Sequence, residues 1–223
     1  MKIKNYTIYD KKISKNWNKL RNSEEHQSYF IPKNKIEFLE RLESYKPTPR
    51  IISDFENMKN NSSFNKLVSF CSGSCMLEYY LMKKFNLDCE VSDNTDSIKR
   101  IKKFKIFNKS SKIDITKNFK INSTSTSLVL LSRIDTEFED NQLNELFKKL
   151  YELKVGLIYF IPAEMISLKT ILVKIKILFI CLFKLRLPVS WGYVRSKKGF
   201  EKNWKRYYKT KSFHSKGAIL KIK

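Results

Sequence analysis

Between Lys66 and Ile161 the chain alternates short, continuous apolar runs with longer stretches whose apolar residues recur at helical spacing. LVSFC (67–71), CEVS (89–92), SLVLLS (127–132) and VGLIYFI (155–161) have the length and apolar continuity of strands covered on both faces. Met76 to Phe85, Asp96 to Phe104 and Asn141 to Leu153 read as amphipathic helices; in the last, Leu143, Leu146, Phe147 and Leu150 share one face. Thr95 or Asp93 is placed to cap the second of these helices. A further strand is expected within 105–115. Strands alternating with helices predict a parallel sheet with helices on both faces. The tail departs from this rhythm. YYKTKSF (207–213) and AILKIK (218–223), joined by His-Ser-Lys-Gly, predict an antiparallel hairpin. The expected class is α/β: a doubly wound, mostly parallel seven-stranded sheet with an antiparallel last strand, in three αβα layers.

Residues 1–60 are more polar. Ile13 to Leu20 and Ile36 to Leu42 carry apolar residues at helical spacing, punctuated by Pro32, Pro47 and Pro49. Asn60, Asn61, Ser62 and Ser63 form a polar hinge, so an N-terminal helical cap (1–60) and a sheet domain (61–223) are expected. The segment LKTILVKIKILFICLFKLRL (168–187) fits neither pattern well, because lysines 169, 174, 176 and 184 scatter around its helical wheel. It reads as a helix covering the sheet with its lysines extended to water, or as an element resting at an acyl boundary. The cover helix is the expectation carried forward.

Composition narrows the classes. With 223 residues, 42% of them hydrophobic, the chain buries roughly 70% of its unfolded surface and needs neither disulfides nor a metal. The longest apolar run, Ile177 to Phe183, is well below the ~20 residues of a spanning helix. The opening MKIKNYTIYDKKISKNWNKL lacks the apolar core of an export leader, so a cytoplasmic location is expected, with a peripheral seat on an anionic membrane surface as its variant. Cys71, Cys75, Cys89 and Cys181 then read as reduced thiols. His26 and His214 stand at opposite ends of the chain, and no metal site is expected.

The net charge is +23. It is concentrated: residues 169–223 hold sixteen Lys or Arg against one acid, Glu201. Such a quarter attracts phosphates, in nucleic acid, nucleotide-sugars or lipid head groups. No aromatic-rich RNA-reading strand and no Arg-rich helix accompany it, which places nucleic acid behind a small-molecule or saccharide ligand. The oligomeric state does not follow from the pattern.

In doubly wound sheets, ligands bind beyond the carboxyl ends of the strands, next to the first one. The turn there, Cys71-Ser72-Gly73-Ser74-Cys75, has small residues throughout and runs directly into a helix. Small side chains let a ligand approach backbone N–H groups at a helix start. Twenty residues after Gly73, Asp93 ends the second strand, where an acid accepts hydrogen bonds from a ribose. The arrangement asks for an adenosine; the plain alternative is a tight turn with a helix-capping carboxylate.

These residues also carry a resemblance. LVSFCSGSCMLE (67–78) resembles the first motif of class I S-adenosylmethionine-dependent methyltransferases, VSDNTDSIKRIKK their second, and KIDIT (112–116) the segment of their third acid. SLVLLSRID (127–135) resembles their fourth strand and the residues directly after that strand. The hairpin tail matches their reversed last strands. Ser69 stands where the family has an acid, and of three family glycines Gly73 remains, the others being Cys71 and Cys75. The resemblance implies an S-adenosylmethionine site formed by Ser69, Cys71, Ser72, Gly73 and Ser74. Asp93 would be on its ribose, Asp114 on its adenine amino group, and Ser132 and Arg133 near the transferred methyl. Methyl transfer is an in-line displacement from a sulfonium, to which a base contributes when the acceptor is a hydroxyl. Asp135, Tyr159 and Glu164 are the candidate catalytic residues. In WGYVRSKKGFEKNW (191–204), which resembles a segment preceding the last strands of small-molecule methyltransferases, Trp191 and Tyr193 would stack on the acceptor and Arg195 would grip a phosphate or carboxylate. The expected acceptor is a small molecule or saccharide, lipid-linked or phosphate-bearing. A catalytically silent binding module and an RNA methyltransferase are the competing classes.

Overall fold

A computed structural model describes residues 2–4, 17–22, 24, 29–117, 119–121, 126–183 and 192–223. Seven strands form the main sheet: β2 (Lys66–Phe70), β3 (Asp88–Asp93), β4 (Lys109–Lys112), β5 (Ser127–Ser132), β6 (Leu157–Ile161), β8 (Tyr208–His214) and β9 (Gly217–Ile222). Their order is β4-β3-β2-β5-β6-β9-β8. The first five are parallel, and β9 runs antiparallel to both β6 and β8. The order reverses at β2, which leads outward through β3 to β4 on one side while β5 and β6 lie on the other. In such sheets a ligand crevice lies at that switch point, between the carboxyl ends of β2 and β5.

Side-chain alternation along each strand builds two cores. Leu128 and Leu130 of β5 enter one with Leu67 and Cys89, while Val129 and Leu131 enter the other with Val68 and Phe70. The first core is covered by α2 (Lys35–Ser44), α3 (Pro49–Asn61), α4 (Met76–Phe85) and α5 (Ser97–Phe104) through Phe38, Leu42, Phe55, Leu81 and Ile101. The second is covered by α6 (Asp140–Glu152), with Leu143, Leu146, Phe147 and Leu150 all buried, and by α8 (Lys197–Trp204), with Phe200 and Trp204. Local chemistry sets the helix starts. The Asn34 carboxamide accepts the Ile36 N–H at 2.8 Å. Glu139 and Gln142 form a reciprocal capping box at α6.

Two expectations are corrected here. The N-terminal region is not wholly helical: besides α1 (Trp17–Asn22), it contributes β1 (Lys2–Lys4), which pairs antiparallel with β7 (Tyr193–Arg195). Lys-Ile-Lys is too short to carry a readable period, and the strand is defined by its pairing with β7. The second correction concerns α7 (Leu168–Phe183), which is not a cover helix. Its apolar side chains at 168, 171, 172, 173, 175, 179, 180 and 183 are exposed. The preceding Ser167 launches it outward, with Ser167 and Thr170 capping each other at 2.8 and 3.2 Å.

Candidate functional site

The turn after β2 alternates handedness. Cys71, Gly73 and Cys75 take φ of 54°, 58° and 57°. Left-handed backbone costs an L-residue roughly 1–2 kcal/mol, so the two cysteines hold a geometry that glycine would adopt freely. The surroundings enforce it. Ser72 N–H donates to Ser92 O at 2.9 Å, Cys75 N–H to Ser72 O at 2.9 Å, and Gly73 N–H to the Asp93 carboxylate at 2.9 Å. Ser72 is buried, with its hydroxyl 3.2 Å from both Ser69 O and Ser92 O, while Ser74 is half-buried. Burial and the neighbouring acids raise both thiols, Asp93 beside Cys71 and Glu78 beside Cys75, which keeps them protonated and makes them poor nucleophiles.

Asp93 joins the two adenosine features expected from the sequence. One oxygen accepts Gly73 N–H, and the other accepts the Thr95 N–H at 2.9 Å and the Thr95 hydroxyl at 2.7 Å. A carboxylate offers about four acceptor positions. The oxygen on Gly73 therefore retains an acceptor position, although the side chain is largely buried. The capping role is not realised: the N-cap of α5 is Asp96, with no side-chain cap, and Asp93 instead secures the loop ahead of the helix through Thr95.

Two residues extend this site beyond the sequence expectation. Glu78 of α4 reaches back under the turn, where Ser69 donates its hydroxyl to it at 2.7 Å. Burial pushes the Glu78 carboxyl up to about 7, against the opposing hydrogen bond from Ser69. A carboxylate thus stands beneath β2 even though Ser69 itself carries none. The other residue is Arg21 of α1. Its guanidinium lies 5.3 Å from the Trp17 ring and 6.0 Å from Tyr29, and it donates to Tyr29 O at 3.3 Å. A Cβ placed on Gly73 would fall 2.7 Å from Arg21 Nη2. The side chain is 8% exposed, and among the described residues its Nε has no hydrogen-bond partner. Nothing in the spacing of a polar N-terminal segment announces an arginine seated on a turn some fifty positions later.

Other expected site residues scatter. Asp114 folds onto its own turn, accepting from Thr116 N–H at 3.0 Å and the Thr116 hydroxyl at 2.6 Å, which holds its pKa below the usual range. Ser132 ends β5 half-buried, and Arg133 follows exposed in left-handed backbone, its N–H on Ile161 O at 2.8 Å. Asp135 is fully buried, accepts Ala163 N–H at 2.9 Å and is pushed up to about 6 by burial; its second oxygen is unpartnered. This fixes the loop after β6, and Glu164 in that loop is half-buried.

Three candidate roles are corrected. Tyr159 lies in the core, donates its hydroxyl to Asp54 at 2.7 Å and is driven up in pKa by burial, so it does not serve as a base. Arg195 is fully buried and engages all three guanidinium nitrogens internally. Nε pairs with Asp140 at 2.8 Å, Nη1 donates to Asp135 O at 2.6 Å, and Nη2 donates to Phe138 O. It staples β7 to the loop after β5 and does not grip a ligand. Tyr193 is buried beside it with its hydroxyl on Glu139 at 2.8 Å, which makes it a packing residue. Trp191 lies outside the described residues.

No family model matches the chain, and no curated protein does. Solved structures match its shape. The PH0226 protein from Pyrococcus horikoshii OT3 superposes with TM-score 0.51 at 17% identity, over 93% of this chain and 95% of that one. Human N-acetylserotonin methyltransferase in complex with SAM gives 0.51 at 12% identity, over 72% of this chain and 48% of that one. Methyltransferase CalO6 gives 0.52 at 13% identity, over 85% and 64%. Against the last two, the chain spans about half and just under two thirds of their length. The overall shape is shared, and the chain has a class I methyltransferase-like fold.

Proposed function

We propose that this chain binds S-adenosylmethionine over the 71–75 turn and transfers its methyl group to a small-molecule or saccharide acceptor. The observation that carries the reading is the turn itself. Two residues that pay for left-handed backbone are nonetheless held in it, and the same turn is bonded to Asp93. A strained conformation maintained by buried hydrogen bonds points to function.

The residues fit the cofactor's three polar ends. Asp93 would accept the ribose hydroxyls through its free capacity. Arg21, buried with its Nη2 and Nη1 against Gly73, would receive the amino-acid carboxylate in a charge-assisted contact. Asp114, at the end of β4, would take the adenine amino group. The bound cofactor supplies a methyl on a sulfonium, which needs no metal. The protein holds the acceptor in line beside Ser132 and Arg133 and keeps the raised Glu78 and protonated cysteines from competing as nucleophiles. The acceptor reading rests on the charge pattern and on the fold's company with small-molecule enzymes.

Titration calorimetry with S-adenosylmethionine and its demethylated product tests this. Asp93→Asn is expected to weaken binding by about 2 kcal/mol, the scale of one charge-assisted pair, and also to lower the thermal midpoint by several degrees, because the amide cannot accept from both Gly73 and Thr95. Unaltered affinity would move the ribose contact elsewhere. Absence of binding in the wild-type chain would favour the silent-module reading, which the Cys71 side chain in the left-handed turn supports.

A further inference from the structure

Helix α7 presents an apolar surface that the fold leaves bare. Leu168 is 82% exposed, Leu172 66%, Phe179 56% and Phe183 89%. With Ile171 and Ile175 they fall within about 120° of the wheel at 100° per residue. The helix contains lysines 169, 174 and 176 and no acidic residue. From 169 onward the chain holds sixteen basic residues against Glu201 alone. A soluble protein rarely leaves so many large apolar side chains contiguous and exposed without a partner surface.

We infer that α7 is an interfacial helix that lies in the plane of an anionic phospholipid surface, its apolar arc in the acyl boundary and its lysines at the head groups. The charge selects this occupant. A helix without acids, set in a basic quarter, is complementary to a negative leaflet, and each nearby lysine adds to the attraction. A second copy of this chain would bring like charges together across the same face. Among the described residues no helix is long and apolar enough to cross a membrane. The helix is also anchored to the body at its start, where Ile166 N–H donates to Arg195 O at 2.9 Å and Ser167 caps with Thr170. Because α7 comes after β6 at the strand ends that border the crevice, docking would bring that crevice to the membrane surface. The inference stands on the helix alone and holds whether or not the chain transfers methyl groups.

The test is co-sedimentation of the full chain with vesicles of phosphatidylcholine alone and of phosphatidylcholine mixed with phosphatidylserine, at low and moderate salt. Phe179→Ser with Phe183→Ser alters only exposed positions and leaves the charge unchanged, so the thermal midpoint should be preserved. Wild type should pellet with the anionic vesicles, less so at higher salt, and the double variant should lose about tenfold or more of its partitioning. Equal binding by the double variant would mean that charge alone attracts the chain, and would overturn the inference. So would failure of wild type to bind anionic vesicles, or a dimer in sizing chromatography that the double variant dissociates.

Discussion

Arg195→Met separates the role the structure gives this arginine from the ligand-gripping role expected of it. The guanidinium is fully buried and donates to Asp140, Asp135 O and Phe138 O. Methionine fills similar volume but leaves two carbonyls without their charged donor, at about 1.5–3 kcal/mol each. Asp140 is not orphaned, because Lys202 stays 2.9 Å from it and it is partly exposed. Removing the buried cation also recovers part of its desolvation, so the net loss should be about 3–4 kcal/mol. For a chain of this size that is a fall of about 8–14 °C in the thermal midpoint. Urea titration followed by circular dichroism, at constant m-value, gives the free energy directly. Arg195→Lys keeps a charge but cannot serve three acceptors, and should fall between. A midpoint within about 2 °C of wild type, together with weakened binding of a phosphate-bearing acceptor, would refute the staple and restore the gripping role.

The remaining predictions concern buried groups. Glu78 titrates near 7 when folded, against an ordinary 4.5, so the folded state binds its proton more tightly and stability falls as pH rises between those values. Glu78→Gln should therefore gain over wild type by up to about 3 kcal/mol above neutrality and by almost nothing near pH 4.5, and parallel urea midpoints across the range would contradict this. Gly217→Ala would set a Cβ 2.4 Å from the Tyr159 hydroxyl, which is fixed in the core on Asp54. A loss of about 2–3 kcal/mol is expected, and a change below about 0.5 kcal/mol would show that the tyrosine can move.

The sheet was legible because its signals are local. β5 spans the SLVLLS run, α4 spans Met76–Phe85, and the terminal hairpin lies within a residue of its turn signal, each element carrying its own period and punctuation. The 71–75 turn and Asp93 were legible for the same reason, since twenty residues of one βαβ unit bring them together and Gly73 N–H meets the carboxylate. Charged and polar side chains were another matter. Arg21, Arg195, Tyr159 and Glu78 have long or adaptable side chains whose partners, Gly73, Asp140, Asp54 and Ser69, are selected by packing between elements. The bare face of α7 belongs with them. Its composition admits a cover helix, the reading favoured from sequence, as well as an interfacial one, and only the path set by the Ser167 cap and the β7 pairing turns that face away from the core. Periodicity along one segment fixes what that segment becomes, while burial depends on what the rest of the chain places over it.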